Sequence, residues 1–224
     1  MFFKILYISF IGAFISLDDI ACWQIMISQP MISAPLAGLA LGNVEIGILI
    51  GLLFQLLWLG NFPVGGTSKT DASTSSISTT AIIIIAQANG LSISSFIYPA
   101  VLLGIFWGMI GSKIDIGLRN FNSFLSHKAF HLVSNHKGEK VAMLNLYGMG
   151  LFWVKNFFLL FITISIGVFL APMILVSNEM MISLLKDFFI LLGFAVIIGI
   201  FISKKKYWFF IAGLLVGLVI KFWG

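Results

Sequence analysis

Asp71, Thr74, Ser75 and Ser78 stand at i, i+3, i+4 and i+7, so on a helix they share one hydroxyl-rich face that carries a single carboxylate. Two amides, Gln55 and Asn61, and two aromatic residues, Trp58 and Phe62, come shortly before them. Hydroxyls and amides both donate and accept hydrogen bonds, and an ionised carboxylate accepts only. A polyhydroxylated solute such as a sugar needs this inventory, with Trp58 or Phe62 stacked on the apolar face of its ring. The competing explanation is a solvated connector, in which Ser and Thr join two helices and Asp71 is an exposed loop residue.

The elements that would position these residues belong to a membrane protein. The 224 residues are 60% hydrophobic and 9% charged, with a mean hydropathy of +1.10, whereas soluble domains carry about 25% charged residues. The expected fold class is therefore all-α and integral to the membrane, and residues 1–224 suit a single membrane domain. The net charge of +5 comes from 13 Lys and Arg scattered beside apolar runs. That distribution serves orientation in the bilayer and excludes a nucleic-acid surface. Cys22 is the sole cysteine, which excludes an intrachain disulfide and a four-cysteine metal site. The start "MFFKILYISFIGAFISLDD" places Asp18 and Asp19 where a leader peptidase would need small residues. It is expected to be a retained first span.

A crossing takes about 20 apolar residues. The expected spans are 2–17, then 21–42 broken by Pro30 and Pro35, 44–60, 96–111, 151–176, 188–203 and 207–222. Residues 81–88 are too short to cross alone, and 112–142 form one long hydrophilic segment. That segment holds Lys113, Arg119, Lys128, Lys137 and Lys140 against Asp115 and Glu139, which places it in the cytoplasm. Between spans, Pro63, Gly65 and Gly66 break the helix, and Thr70 is expected to cap a new one with Asp71 in its first turn. Irregular backbone at membrane depth survives only inside protein or beside a wet cavity, and interrupted hydrophobic segments mark transporter binding sites. The expectation is a polytopic helical bundle with broken or re-entrant helices in its N-terminal half.

The run "QPMISAPLAGLALGNVEIGILIGLLFQLLWLGNFPVGGTSKTDAS", with Asp18 and Gln24 before it, resembles the IIC subunit of mannose/sorbose-family bacterial phosphotransferase systems. The family pattern is Arg-Pro, a Gly-x-x-x-Gly span, a Gly-rich span with Glu or Gln, Leu-Gly, and a Pro-Asp-Ala segment. It falls here on Pro30, Gly38, Gly42, Gly47, Gly51, Gln55, Gly60, Gly65, Asp71 and Ala72, and covers about residues 15–80. The resemblance implies a sugar pathway through the bacterial inner (cytoplasmic) membrane, in a multi-pass chain working with a IID membrane subunit. A cytoplasmic IIB protein, charged by IIA, would phosphorylate the hexose-type sugar. It further implies an elevator-like carrier assembled as a trimer of IIC–IID pairs, no catalysis by this chain itself, no cofactor, and no nucleic-acid partner. By matching position, Gln55 and Asp71 become the substrate-site candidates, joined by Asn61, Thr74, Ser75 and Trp58 from the residue chemistry above. Three departures stand out. Gln29 replaces the usual Arg, Gln55 stands where Glu is frequent, and Lys69-Thr70 replaces a residue-Pro pair before Asp71, bringing a cation close to it.

Other groups have simpler explanations. His127 and His131 lie at i, i+4, a spacing that can bind metal on a helix, but no Cys and few carboxylates accompany them or His136; they are expected to be solvated, near a surface where IIB docks. Lys155 interrupts an apolar span and either serves the function or snorkels to the interface, the second being the expectation. Two other function classes compete. An ion- or proton-coupled carrier needs a buried titratable pair, for which Lys69 and Asp71 are the nearby candidates, and a membrane enzyme needs a catalytic set within the bilayer.

Overall fold

The structure is a computed structural model that describes residues 1–19, 21–22, 24–58, 70–134 and 139–173, apart from the side chains of 93–95. The expected spans 188–203 and 207–222 lie outside the described residues. Six helices and no strand occur among the described residues: α1 (Phe2–Leu17), α2 (Pro30–Leu41), α3 (Val44–Trp58), α4 (Ala72–Ala88), α5 (Ile93–Ser134) and α6 (Glu139–Leu170). Of these, α5 and α6 are long and apolar enough to cross a membrane. The first four have 12 to 17 residues, or about 18–26 Å at 1.5 Å per residue, against a hydrocarbon core of about 30 Å. The broken N-terminal half was legible in the sequence, but two of its boundaries move.

The first is the segment expected to span from 21 to 42. The described residues between α1 and α2 are non-helical, and α2 begins at Pro30, which takes the first helical position where its missing N–H costs nothing. Asp18, at the end of α1, shapes this connector. Its Oδ1 accepts from the Ile25 N–H (2.8 Å), and its Oδ2 accepts from the Ser28 N–H (3.1 Å) and hydroxyl (3.2 Å). Gln24 and Met26 hold left-handed backbone, with φ of 55° and 70°. Beyond it, α2 turns at left-handed Gly42 (φ 88°) into α3. The two helices pack so closely that a methyl group on Gly47 would stand 2.6 Å from the Ala34 carbonyl oxygen, and one on Gly51 2.7 Å from that of Pro30. Small residues are what allow such an approach.

The second correction concerns 70–88. The Ser/Thr cluster and the apolar stub that follows form one helix, α4, and every residue from Ser73 to Ala86 is buried. Packing surrounds it with α1, α2, α3, α5 and α6, and Ile77, Ile82, Ile83 and Ile85 share a core with Ile8, Ile50, Phe54, Leu160 and Ile164. Its hydroxyls are absorbed locally. Ser75 donates to the Asp71 carbonyl (2.9 Å), Ser76 to that of Ser73 (3.1 Å) and Ser78 to that of Thr74 (2.6 Å), the back-bonding open to these side chains inside a helix. The outward surface carries Phe3, Phe10, Leu49, Leu56, Phe106, Met109, Phe158 and Phe169, all exposed, as suits hydrocarbon as the solvent.

Contacts fix the directions of the helices. Ser16 bonds to Ser73 (3.1 Å), Gln55 to Met31 (3.3 Å) and Ser33 to Ser76 (3.0 Å). The end of α1, the start of α2, the end of α3 and the start of α4 therefore meet at one end of the bundle. Asn43 bonds to Gln87 at the opposite end. The 42 residues of α5 and 32 of α6 reach about 63 and 48 Å, beyond the core thickness. Most of the hydrophilic segment, expected to link spans, is thus the helical tip of α5 and the first turns of α6, an arm leaving the bundle at its polar end. Lys113, Lys128 and Lys140 are exposed on it, and His127 and His131 likewise. His136 and Lys137 lie outside the described residues.

Candidate functional site

At the polar end the backbone N–H groups that open α4 need acceptors, and Asp71 rather than Thr70 is the cap. Its Oδ1 accepts from the Thr74 N–H (3.0 Å) and the Ser73 hydroxyl (3.2 Å). Its Oδ2 faces Lys155 of α6, whose Nζ stands 2.8 Å away. The same ammonium lies 2.9 Å from Oδ1 of Asp115 on α5, and the side chains of Lys155, Asp71 and Asp115 are 7%, 6% and 10% exposed. Three helices thus meet through one cation held between two carboxylates. Buried charges persist only when paired and hydrogen-bonded, and Lys155 supplies the pairing for both acids.

Glycines make the convergence possible. On α5, Gly104, Gly108 and Gly111 face the side chains of Thr79, Ser75 and Asp71 in turn, so α5 runs antiparallel to α4 and contributes no side chain of its own at these three points. A methyl group on Gly111 would stand 2.7 Å from Asp71 Oδ2, and one on Gly108 would overlap the Ser75 hydroxyl. The face expected to be open to a sugar is therefore closed by α5 in this state.

The six sequence-predicted site residues separate accordingly. Asp71, Thr74 and Ser75 come together at the start of α4, with Thr74 Oγ1 buried and lacking a hydrogen-bond partner among the described residues. Gln55 sits in the last turn of α3 and accepts from the Met31 N–H at the start of α2. It thereby occupies a second helix N-terminus at the same end of the bundle. Trp58 closes α3 with its indole Nε1 buried and unpaired among the described residues. Asn61 lies outside the described residues, as do Phe62 and Lys69, the cation expected beside Asp71.

Two residues of the site went unrecognised in the sequence. Lys155 was expected to snorkel to the interface and instead lies buried against Asp71, although an ionisable residue within an apolar span carried the signal. Asp115 was counted with the solvated segment, yet it points inward; its only pattern in the sequence is the glycine series at 104, 108 and 111 that precedes it on α5. What the arrangement offers chemically is a carboxylate with one oxygen fixed by its own helix and the other facing a cation shared with Asp115. Unpaired donors and acceptors stand nearby on α3 and α4.

A sequence model of the EII-Sor family, described as the PTS system sorbose-specific IIC component, matches residues 2–222. The fructose permease IIC component of Bacillus subtilis (strain 168) is 25% identical over 115 residues, which cover 50% of this chain and 40% of that relative. The matched stretch is thus less than half of the relative's length. A solved structure described as a membrane protein superposes with a TM-score of 0.73 at 19% identity, covering 96% of this chain and 86% of its own. The mannose transporter ManYZ, solved in complex with microcin E492, superposes with a TM-score of 0.50 at 20% identity, covering 100% and 86%. These two likenesses bear on the fold.

Proposed function

Because the chain belongs to the EII-Sor family of PTS sorbose-specific IIC components, we propose that it is the sugar-translocating membrane subunit of a mannose/sorbose-type phosphotransferase system. In this role it hands a hexose-type sugar to a cytoplasmic IIB protein that phosphorylates it. The observation that carries the proposal is Asp71, a carboxylate buried among hydroxyls at the N-terminus of a short helix inside an apolar bundle. Charge-assisted hydrogen bonds from sugar hydroxyls to such a group are about twice as strong as neutral ones. Gln55, Trp58, Asn61, Thr74 and Ser75 are its proposed companions.

The chain functions as one membrane domain, residues 1–224, in the bacterial inner membrane. The basic arm faces the cytoplasm, as the positive-inside rule places it, and presents its surface to IIB. The apolar exterior is covered by lipid and by a IID subunit, with IIC–IID pairs assembled as trimers. The chain is a permease and the phosphoryl chemistry belongs to IIA and IIB. An ion-coupled carrier is the second possibility, and one observation favours it: the buried titratable set that such a carrier requires is present as Asp71, Lys155 and Asp115.

Reconstitution in liposomes separates the two. With IID, IIB, IIA and a phosphoryl donor, radiolabelled fructose or mannose is expected to appear inside as sugar phosphate, and omission of either IID or IIB is expected to abolish this. Accumulation of unmodified sugar by this chain alone, driven by a proton or sodium gradient, would establish the secondary carrier instead.

A further inference from the structure

We infer that Lys155 is the positioning residue of the sugar site. It passes from Asp71 to Asp115 when a sugar hydroxyl arrives and returns when the sugar leaves. This rests on the assignment of Asp71 as sugar ligand.

The two oxygens of Asp71 are unequal. Oδ1 is committed to the Thr74 N–H and the Ser73 hydroxyl and cannot leave without uncapping α4. Oδ2 meets only the Lys155 ammonium among the hydrogen bonds of the described residues. A carboxylate oxygen accepts more than one hydrogen bond, but Oδ2 is buried between the Lys155 ammonium and the backbone of Gly111, so a sugar hydroxyl reaches it only through the space that the ammonium fills. A displaced ammonium stranded in a dry site would be prohibitive. Asp115 removes that obstacle, because its Oδ1 already stands 2.9 Å from Nζ as an ion pair and has no hydrogen-bond partner among the described residues, whereas Asp71 Oδ2 holds the ammonium's hydrogen bond at 2.8 Å. The lysine changes its main partner by a small rotation and stays paired throughout. The empty site is likewise kept closed, since Lys155 neutralises the carboxylate until a neutral polyol replaces it. Asp115 and Lys155 sit on the two long helices and Asp71 on the short one, so the exchange also loosens the tie between α4 and the arm at the moment of loading.

The consequence is specific. With Asp115→Asn, Lys155 has only Asp71 to pair with, and sugar must break that pair with no second acceptor for the charge. In cells carrying the complete system, the KM for radiolabelled fructose or mannose uptake is expected to rise about tenfold, with the maximal rate per membrane-inserted subunit changed less than about twofold. Asp115→Glu should restore most of the affinity. The double variant Asp115→Asn with Lys155→Gln, which replaces the competing cation by a neutral donor that a sugar hydroxyl displaces more easily, should show a lower KM than Asp115→Asn alone. Uptake is normalised to inserted subunit, because the unpaired Asp71 lowers stability. An unchanged KM in Asp115→Asn, or a fall in maximal rate alone, overturns the exchange while leaving the sugar site at Asp71 intact. A wild-type level of uptake by Asp71→Asn would instead remove the assignment on which the exchange rests.

Discussion

Uptake by the Asp71→Asn variant is expected to fall about ten- to a hundredfold, with the subunit still inserted at normal levels. Asn keeps the size of Asp but not its charge, and its amide nitrogen is a donor. One side of the new side chain must then face either the Thr74 N–H or the Lys155 ammonium, and both of these are donors. The charge-assisted hydrogen bond that Oδ2 accepts from a sugar is lost, worth about 1.5–3 kcal/mol, which corresponds to about ten- to a hundredfold in rate. Insertion should survive because Asp115 remains to pair with Lys155. Transport of radiolabelled fructose and mannose, normalised to subunit in the membrane, is the measurement. Undiminished transport would place the sugar site elsewhere.

The largest expected effect on stability comes from Lys155→Met. It leaves Asp71 and Asp115 facing the same dry space without a cation, and removing one partner from a buried ion pair costs about 3–5 kcal/mol. Methionine fills the volume, so the loss is electrostatic. Thermal unfolding of the purified subunit in detergent should shift well below the wild type, and addition of Asp115→Asn should recover part of the shift by removing one of the two opposed charges. A loss under about 1 kcal/mol would mean that water reaches the three groups and holds them apart.

How much of this was visible in the sequence follows from the range of each interaction. The limits of α1 and the start of α3 are local matters of apolar runs and turn residues, and they were legible. The extent of α4 was not. Seven Ser and Thr among the eight positions 73–80 signal a loop in water, where those side chains compete for the backbone; here burial turns the competition into bonds to carbonyls three or four residues back, and the helix continues. The arm was similarly obscured, because polarity was taken to mark a connector although helices continue through it. For the charged site the obstacle was distance along the chain. Asp71 and Lys155 are 84 residues apart, and no spacing rule joins them. Only the packing of glycines on α5 against α4 brings the third group, Asp115, inward.

The hydroxyl-rich core helix has a consequence for the order in which the protein is made. Chains leave the ribosome N-terminus first, so α4 reaches the membrane before α5 and α6 exist. At that moment Ser73–Ser76 and Ser78–Thr80 give it little tendency to enter hydrocarbon, and Asp71 lacks the buried partner it has in the folded protein, since residue 155 is not yet synthesised. Charged and hydroxylated segments partition poorly from the insertion machinery into lipid on their own. The newborn α4 must therefore wait at the translocon or the interface until the glycine face of α5 and the ammonium of α6 arrive to receive it. Chains halted before residue 155 should expose a cysteine placed at Ser75 to aqueous thiol reagents, and chains extended through α6 should protect it; equal protection in both would show that α4 enters unaided.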